Sequence, residues 1–347
     1  MAIVYDGPVL PDDLTTFVRQ VPVPANYVLN SVLPDVHVQT NRIDVGQITR
    51  TNRTARFRAY DGALHVGQRD VSQVSTVTLP PLSDSLAQGE LERLKLEFAR
   101  TGGTNQAAFV EAIYNDAEQL TRNVQNRMEL ARGDILSDGK FTMLSANGEP
   151  VLEADWGVPA GNFVTTATLW STTATADPIS DINTWVTYYI GLNGYAPGGM
   201  WISRQTLNNL LVNQNIRTAA GTVLGASLMV TRTTLDATLD QRGLPPILGV
   251  YDSQVDVDGT ATRILPQNKV IFVPPAGQPF GRTVWGVSAT ALELVNAAVT
   301  DLSFEDAAGI VGVVEKVGPP YREFTFVDAV GMPVLDNPRG LMVATVA

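Results

Sequence analysis

One long segment, from Thr104 to Leu136, has the periodicity of an amphipathic helix and restricts the fold more than any other feature of the sequence. Its apolar residues recur at steps of three and four, which predicts a single helix with Thr104 as the N-cap. At a rise of about 1.5 Å per residue, this helix would be about 50 Å long. Because the apolar residues follow one side only, we expect the helix to lie along a sheet or another element. These residues are Val110, Ile113, Tyr114, Ala117, Leu120, Val124, Met128, Ala131 and Ile135.

A coiled coil is the competing interpretation of this segment. Coiled coils repeat large apolar residues at two positions of every heptad. Several of the corresponding positions here are small or polar, and Gly133 interrupts the pattern. The sequence therefore favours a helix that packs on other elements.

Residues 1–44 contain five prolines, each of which fixes φ and removes a backbone donor. We therefore expect an extended arm with few long elements, which is stable only where it lies on another surface. A short helix at residues 12–20 fits the pattern, with Asp12 or Asp13 as its cap.

Residues 45–82 have the pattern of a long hairpin. Two alternating limbs, 54–60 and 71–79, flank the turn signal Asp61-Gly62, and Pro80-Pro81 end the second limb. An isolated hairpin with little large apolar content is marginally stable in water. We therefore expect the hairpin to pack against a neighbouring molecule. An ordinary edge hairpin of a monomer fits the same pattern.

This hairpin has arginines but no lysine. Phosphate binding is one interpretation of such a set, but the negative net charge and the few aromatic residues favour contacts with acidic patches on neighbouring subunits. The candidate contact residues are Arg50, Arg53, Arg56, Arg58 and Arg69.

Helices and strands alternate irregularly through the rest of the chain. Without regular βαβ spacing, an α+β fold is favoured over a doubly wound α/β fold. The predicted helices are 83–100, 180–192 and one that begins after Ser203. The predicted strands or strand-like segments are 153–176, 198–202, 228–230, 247–251, 270–273, 283–295, 321–327 and 340–346, with a hairpin at 255–263 that turns at Asp258-Gly259.

Composition excludes several classes of protein. The 347 residues contain no cysteine and two histidines, which leaves no thiolate metal site or cysteine nucleophile. A formal net charge of −11 argues against tight binding of nucleic acid. No apolar run reaches the length of a membrane span, and the start lacks the pattern of a signal peptide, so we expect synthesis in the cytoplasm.

No segment of the sequence meets the full residue and spacing requirements of the catalytic and cofactor-binding motifs that it resembles. Residues 133–140 resemble a phosphate loop, but the glycines are one residue too far apart and Phe141 stands in place of Ser or Thr. Asp256 and Asp258 lack the further ligands of a calcium loop, and Ser288 lacks the final glycine of a nucleophile elbow. We therefore predict no catalytic residues, no cofactor and no metal.

Three short motifs resemble the lambda-type major capsid proteins of tailed bacteriophages. The segment 322–339 begins Arg-Glu-Phe-Thr, and in the family a strand with these residues leads to a turn and a last strand. Asp258-Gly259 is followed by Leu265-Pro266-Gln-Asn268 and an apolar strand, as in the family. Gly139-Lys140-Phe-Thr-Met143 is similar to a G-K-Y-T-M stretch that follows the long helix there.

The resemblance implies the Hong Kong 97-like phage capsid fold. Residues 1–44 would be the N-arm, 45–82 the E-loop, 83–180 with 291–347 the peripheral (P) domain, and 181–290 the axial (A) domain. The long helix would be the spine of the P-domain. Copies of the chain would assemble as pentamers and hexamers into an icosahedral shell, made in the host cytoplasm, around double-stranded DNA that they contact weakly. Scaffolding, portal and decoration proteins are candidate partners, and no membrane is involved.

One variant of the family joins an E-loop lysine covalently to an asparagine. No lysine lies between residues 41 and 94 here, so we expect a shell without covalent links. Two other functions stay open from the residues alone. One is a tail-tube or fibre component of a virion, and the other is a hydrolase that uses paired carboxylates, whose geometry no sequence reveals.

Overall fold

The computed structural model describes residues 2–3, 9–48, 55, 57, 60, 72–89, 106–144, 150–221, 230–297, 300–319 and 322–347. The chain forms two compact units. Unit 1 comprises Met1–Ile43, Val77–Arg132 and Arg282–Pro333, and unit 2 comprises Asp44–Thr76, Gly133–Gly281 and Val334–Ala347. Each unit contains helices as well as strands, so the α+β prediction is confirmed.

The described helices are α1 (Pro11–Gln20), α2 (Gln106–Asp138), α3 (Pro178–Asn193), α4 (Arg204–Val212), α5 (Gln214–Ala219), α6 (Arg232–Gln241) and α7 (Ala289–Asn296). Short 3-10 turns occupy Leu29–Ser31, Ala160–Asn162 and Pro338–Gly340. The described strands are β1 (Ala2–Ile3), β2 (Asp35–His37), β3 (Arg42–Ile48), β4 (Ser72–Thr78), β5 (Pro81–Gln88), β6 (Lys140–Leu144), β7 (Pro150–Asp155), β8 (Phe163–Thr165), β9 (Gly199–Ile202), β10 (Ile247–Val250), β11 (Gln254–Val257), β12 (Thr260–Arg263), β13 (Lys269–Val273), β14 (Gly281–Trp285), β15 (Val311–Val317), β16 (Arg322–Leu335) and β17 (Met342–Thr345).

The main sheet of unit 1 is built around β16, the longest described strand. Its order is β1-β15-β16-β14-β2, and β5 also pairs with β16. The pairs β15–β16 and β5–β16 are antiparallel, whereas β2 runs parallel to β14. Through β2, residues 35–37 of the N-terminal segment become part of this sheet.

Helix α2 packs against this sheet over its unit 1 portion, which confirms the predicted helix and its predicted environment. Leu120, Val124 and Met128 form a core cluster with Val327 and Ala329 of β16. The apolar stripe therefore faces its own sheet, and the coiled-coil alternative is excluded for the described part of the segment. The predicted cap, Thr104, lies outside the described residues.

The N-terminal segment is less arm-like than its prolines suggest. Leu14, Leu29 and Leu33 are fully buried within the subunit. Leu14 packs against Ile113 of α2 in one core cluster. At these positions, the surface on which the segment lies belongs to its own subunit.

The short N-terminal helix is confirmed, but its predicted cap is wrong. Leu10 holds the N-cap position without a side-chain hydrogen bond, and Pro11 begins the helix. Asp12 and Asp13 lie in the first turn instead, where their charges interact favourably with the helix dipole.

Unit 2 contains a second mixed sheet with the order β10-β9-β13-β17-β8. One face packs on α3, α4 and α6 in a core that includes Trp170, Trp185 and Phe272. The last turns of α2 are also buried, and Lys269 Nζ donates a hydrogen bond to the carbonyl oxygen of Ser137, 2.8 Å away. A cation at this position interacts favourably with the negative end of the helix dipole.

Two predicted elements are of the wrong type. Residues 83–88 belong to strand β5 and not to a helix, because all eight residues of β5 (Pro81–Gln88) pair in register with β16. Tertiary pairing overrides the local helical pattern here. The remainder of the predicted helix, from residue 90 on, lies outside the described residues.

The predicted strand 283–295 is a strand only to Trp285. Helix α7 follows, because the Ser288 side chain accepts a hydrogen bond from the Ala291 amide and caps the helix. Ser288 is therefore a helix N-cap and not part of a nucleophile elbow.

Most other predicted elements of unit 2 are confirmed with shifts of a few residues. These include the helix at Pro178–Asn193, the helix capped by Ser203, and the hairpin β11–β12. Asp258 and Gly259 both have positive φ in that hairpin turn, at 52° and 81°, which explains the Asp-Gly pair. In the predicted strand 228–230, residues 228 and 229 lie outside the described residues.

Candidate assembly surfaces

A two-stranded stem is present where the hairpin is predicted, but the strand that pairs with β4 is β3 (Arg42–Ile48) and not the predicted first limb, 54–60. Strands β3 and β4 pair with each other in a two-stranded sheet. The Thr76 hydroxyl donates a hydrogen bond to Asp44 Oδ1 at 2.6 Å, and at the base the Leu79 amide donates to the Asn41 carbonyl oxygen at 2.8 Å. The predicted turn Asp61-Gly62 lies outside the described residues.

The five candidate contact residues, Arg50, Arg53, Arg56, Arg58 and Arg69, also lie outside the described residues. Their role in subunit contacts stays a prediction. Phe57 and Tyr60, which stand among these arginines in the sequence, are described, and both side chains are fully exposed.

Unit 1 has a groove of about 490 Å³ between its N-terminal segment, α2, β14 and the loop before β15. Its floor is apolar and includes Val18, Val21, Met128, Trp285 and Ile310. Its rim is polar and includes Arg19, Asp35, His37, Glu305 and Asp306. An apolar floor with a charged rim is the arrangement found in many protein interfaces.

A buried ionic cluster lies at one end of this groove. Arg132 Nη1 is 3.0 Å from Glu129 Oε2, and Arg132 Nη2 is 2.5 Å from Asp35 Oδ1. Arg132 Nε donates a hydrogen bond to Thr283 Oγ1 at 2.8 Å. The Glu129 side chain is 0% exposed, so Arg132 supplies a counter-charge to a carboxylate without access to water.

Other hydrogen bonds extend this cluster to three elements. The Leu29 amide donates to Glu129 Oε1 at 3.0 Å, and the Trp285 indole N–H donates to Asp35 Oδ1 at 2.8 Å. The cluster thereby joins the N-terminal segment and β14 to α2. This cluster was not predicted from the sequence. Its signal is the pair Glu129 and Arg132, which stand three residues apart on the apolar side of α2, between Met128 and Ile135.

At the rim, Arg19 fixes the loop that precedes β15. Its Nε donates a hydrogen bond to the Ile310 carbonyl oxygen at 3.0 Å. Burial lowers the pKa of the Arg19 guanidinium from its ordinary value, and the Asp306 carboxylate acts in the opposite direction. Arg19 is therefore engaged with its own subunit.

In unit 2, the C-terminal motif is held by a second polar network. The Tyr189 hydroxyl donates to the Gly340 carbonyl oxygen at 3.0 Å, and Asn162 Nδ2 donates to the Leu341 carbonyl oxygen at 2.6 Å. Asn193 Nδ2 donates to the Arg339 carbonyl oxygen at 3.1 Å. Burial raises the pKa of Tyr189, which keeps its hydroxyl protonated as a donor. These contacts give the Asn-Pro turn a structural role.

The segment that resembles a phosphate loop has another structure. Residues up to Asp138 are the end of α2, Gly139 has a φ of 76°, and Lys140 begins β6. Gly139 thus ends the helix in the left-handed conformation that glycine adopts easily. Lys140 pairs across the β6–β7 hairpin with Glu153, at 2.8 Å, and is not directed at a loop of amides.

Among the described residues, no group of three or more acidic or histidine side chains is arranged to hold a metal ion. No described helix is both long enough and apolar enough to cross a membrane.

Comparison with known proteins identifies the family. The model of the family described as phage major capsid protein E matches residues 11–299, which is most of the chain. No curated protein sequence matches the chain.

Two solved structures have a similar fold. One is assigned as a prophage capsid protein from Escherichia coli CFT073, with 14% identity, a TM-score of 0.59, and coverage of 96% of this chain and 97% of that chain. The other is a phage-related protein from Bordetella bronchiseptica RB50, with 12% identity, a TM-score of 0.56, and coverage of 99% and 97% respectively. At these identities, the likeness establishes the fold alone.

The fold predicted from the three motifs, that of Hong Kong 97-like phage capsid proteins, is confirmed. The family match confirms the resemblance at the level of phage major capsid proteins and makes the chain a component of the virion. The chain belongs to the phage major capsid protein E family and is a major capsid protein, which forms the shell of a phage particle.

Proposed function

We propose that this chain assembles as pentamers and hexamers into a closed icosahedral shell that encloses double-stranded phage DNA. The observation that carries the proposal is the family match over residues 11–299. We further propose that the subunit has no enzymatic activity. Its membership of a family of structural proteins supports this. The shell is assembled in the host cytoplasm.

The proposal keeps the four-part division of the subunit. The N-arm is 1–44, the E-loop 45–82, the P-domain 83–180 with 291–347, and the A-domain 181–290. Two observations support a division of this kind. Helix α2 packs on the sheet of unit 1, as a spine helix of a P-domain would, and unit 2 has its own sheet and its own core. The proposed bounds differ from the sheets at three strands, because β8 and β17 of the proposed P-domain lie in the sheet of unit 2 and β14 of the proposed A-domain lies in the sheet of unit 1.

Contacts with DNA are weak and non-specific in this proposal. A protein that neutralises phosphates needs clustered cationic groups, whereas this chain has 24 Lys and Arg against 35 Asp and Glu. Copies of the chain are the main partners, and scaffolding, portal and decoration proteins are candidates for further contacts.

Electron microscopy of negatively stained protein tests the shape of the assembly. The chain, expressed together with the neighbouring phage genes, is expected to form closed, roughly spherical particles. Expression without those genes, as the control, tells whether the chain assembles alone. Tubes, rings or trimers would support a tail or fibre component instead, and monomers under both conditions would contradict the proposal.

We further expect the shell to hold together without covalent links between subunits. A lysine side chain is the amine that such a link would use, and residues 41–94 contain none. Particles boiled in SDS should therefore migrate as a single band at 37.3 kDa. A ladder of covalent oligomers that persists after boiling would refute this expectation.

A further inference from the structure

We propose that Asp258 and Gly259, at the turn of the β11–β12 hairpin, are a site of backbone modification at which the aspartate isomerises to isoaspartate through a cyclic imide. The modification needs no enzyme, and water is its only reactant. It goes beyond the proposed function, because it concerns the covalent structure of the folded chain and not its assembly.

The reaction begins when the amide nitrogen of Gly259 attacks the carboxyl carbon of Asp258, Cγ. A succinimide ring forms, and the amide proton leaves with the carboxyl hydroxyl as one molecule of water. A second molecule of water then opens the ring. If it cleaves the new Cγ–N bond, aspartate is restored. If it cleaves the original peptide C–N bond, the main chain runs through Cβ and Cγ, and the former backbone carbonyl becomes a free carboxylate.

The residue pair and its surroundings leave room for ring closure. A side chain on the residue after the aspartate would obstruct the approach of the nitrogen, and glycine has none. A Cβ atom built at residue 259 would meet nothing within 4 Å, so no neighbouring atom prevents the rotation that the attack requires. Asp258 and Gly259 are both exposed, so water reaches the ring once it has formed.

Both reacting groups are free at this turn. In the described part of the chain, no hydrogen bond uses the Gly259 amide or the Asp258 carboxylate. The strand pairing of the hairpin ends at Val257 and Thr260, on either side of the turn. An amide that donates a hydrogen bond must lose that bond before its nitrogen can attack, and the loss costs free energy. The Gly259 nitrogen does not have this cost.

The backbone at Asp258 also favours the product. Its φ is 52°, and within the described ranges it is the one residue other than glycine with a positive φ. This conformation is unfavourable for residues that have a Cβ atom. Because isomerisation lengthens the main chain by one methylene group, the turn no longer has to hold the aspartate in it.

Two other described sites have a glycine after an aspartate or asparagine, and both are blocked. In Asp138-Gly139 and Asn193-Gly194, the glycine follows the last residue of a helix. Its amide donates a hydrogen bond to a carbonyl oxygen of that helix, at 2.9 Å and 2.7 Å respectively. Asp138 Oδ1 also accepts a hydrogen bond from the Lys140 amide, and Asn193 Nδ2 donates to two carbonyl oxygens. The chain thus contains its own controls for the hairpin site.

Incubation in water enriched in the heavy isotope of oxygen, followed by mass spectrometry, tests the site. The folded, full-length chain is incubated in a mildly acidic buffer and then digested in ordinary water. Each cycle of ring closure and opening adds a heavy oxygen atom, whether it ends in aspartate or in isoaspartate, and fragmentation of the peptide locates it. We expect the label at Asp258 to exceed the label at Asp138 severalfold. Equal labelling of the two residues in the folded chain would overturn the inference.

The same incubation in urea is the control for the role of the fold. Unfolding removes the helix hydrogen bonds at Asp138-Gly139, so the label at Asp138 should rise to about the level at Asp258. If Asp138 stays unlabelled in urea while Asp258 is labelled, the hydrogen bonds do not explain the difference between the sites, and the inference fails.

The variant Asp258→Asn tests the same chemistry with another leaving group. Asparagine also tolerates positive φ, so the turn should form. Ring closure then releases ammonia instead of water, and opening of the ring leaves a carboxylate where the amide was. Peptide mass spectrometry of the stored, folded variant should show this conversion at residue 258 and an intact amide at Asn193. Conversion at Asn193 that equals or exceeds conversion at residue 258 would contradict the inference.

Discussion

Replacement of Arg132 with methionine is expected to lower the free energy of unfolding of the unassembled chain by about 3–5 kcal/mol. Methionine fills a similar volume but removes the cation that lies 3.0 Å from the buried Glu129 carboxylate. Asp35 and Thr283 would also lose their contacts with the guanidinium. Urea denaturation followed by circular dichroism measures the difference.

Two further variants separate the effect of charge from the effect of shape. Arg122 lies on the same helix and pairs with Glu118, but both side chains are exposed, so Arg122→Met should change stability by less than about 1 kcal/mol. Glu129→Gln combined with Arg132→Met removes the buried charge and should recover part of the loss. If Arg132→Met is as mild as Arg122→Met, the buried cluster does not stabilise unit 1.

Substitution of Gly133 by alanine is expected to destabilise the chain, although alanine is the better helix former by about 1 kcal/mol. A Cβ atom at residue 133 would overlap with the carbonyl oxygen and the side chain of Ile264. A backbone carbonyl cannot rotate away as a flexible side chain can, so α2 or the Ile264 segment would have to move. Overpacking of this kind costs about 1–3 kcal/mol or more.

Gly191 in helix α3 is the matched control for this prediction. A Cβ atom there would meet nothing within 4 Å. Gly191→Ala should therefore stabilise the chain by about 0.5–1 kcal/mol, in the opposite direction to Gly133→Ala. The same urea denaturation series measures both variants. Stabilisation by both substitutions would show that α2 does not approach Ile264 as closely as the structure indicates.

The sequence predicted best where one local pattern determines one element. The periodicity of α2 arises from a single helix face, and nine apolar residues were sufficient to define it. Asp258-Gly259 was sufficient for its hairpin turn, because few residue pairs adopt positive φ at two successive positions. The three family motifs then supplied the fold, which no local pattern contains.

The errors occurred where distant residues decide the structure. Strand β5 has a helical pattern, and it is a strand because it lies beside β16, more than two hundred positions away in the chain. The N-terminal segment has the prolines of an extended arm, yet Leu14 is buried against residues of α2 and β15, and Leu29 is fully buried as well. Local propensity contains no information about these partners.

The candidate surfaces were predicted in part. The arginines of the hairpin and the absence of lysine are visible in the sequence, and their role in contacts stays a prediction. The groove could not have been predicted, because its lining comes from four separate segments of unit 1. The sequence contains one indication of the cluster, which is the pair of opposite charges, Glu129 and Arg132, on the apolar face of α2. This pair does not indicate that Asp35 is the third member.

We expect the subunit to be stable by itself in both units and to join its neighbours through exposed features. Unit 1 and unit 2 each have a buried core cluster formed by described residues of the chain itself. Phe57 and Tyr60, in contrast, have no packing partner in the subunit. Folding and assembly should therefore be separable, so that variants at the hairpin affect particles and variants at Arg132 or Gly133 affect the subunit.

A cryo-electron microscopy reconstruction of particles purified from cells that express the chain with its neighbouring phage genes tests the central claim most directly. The account predicts a closed shell in which this chain, repeated around five-fold and six-fold positions, forms the continuous wall. A shell built from another protein, with this chain absent or confined to a tail or fibre, would contradict it.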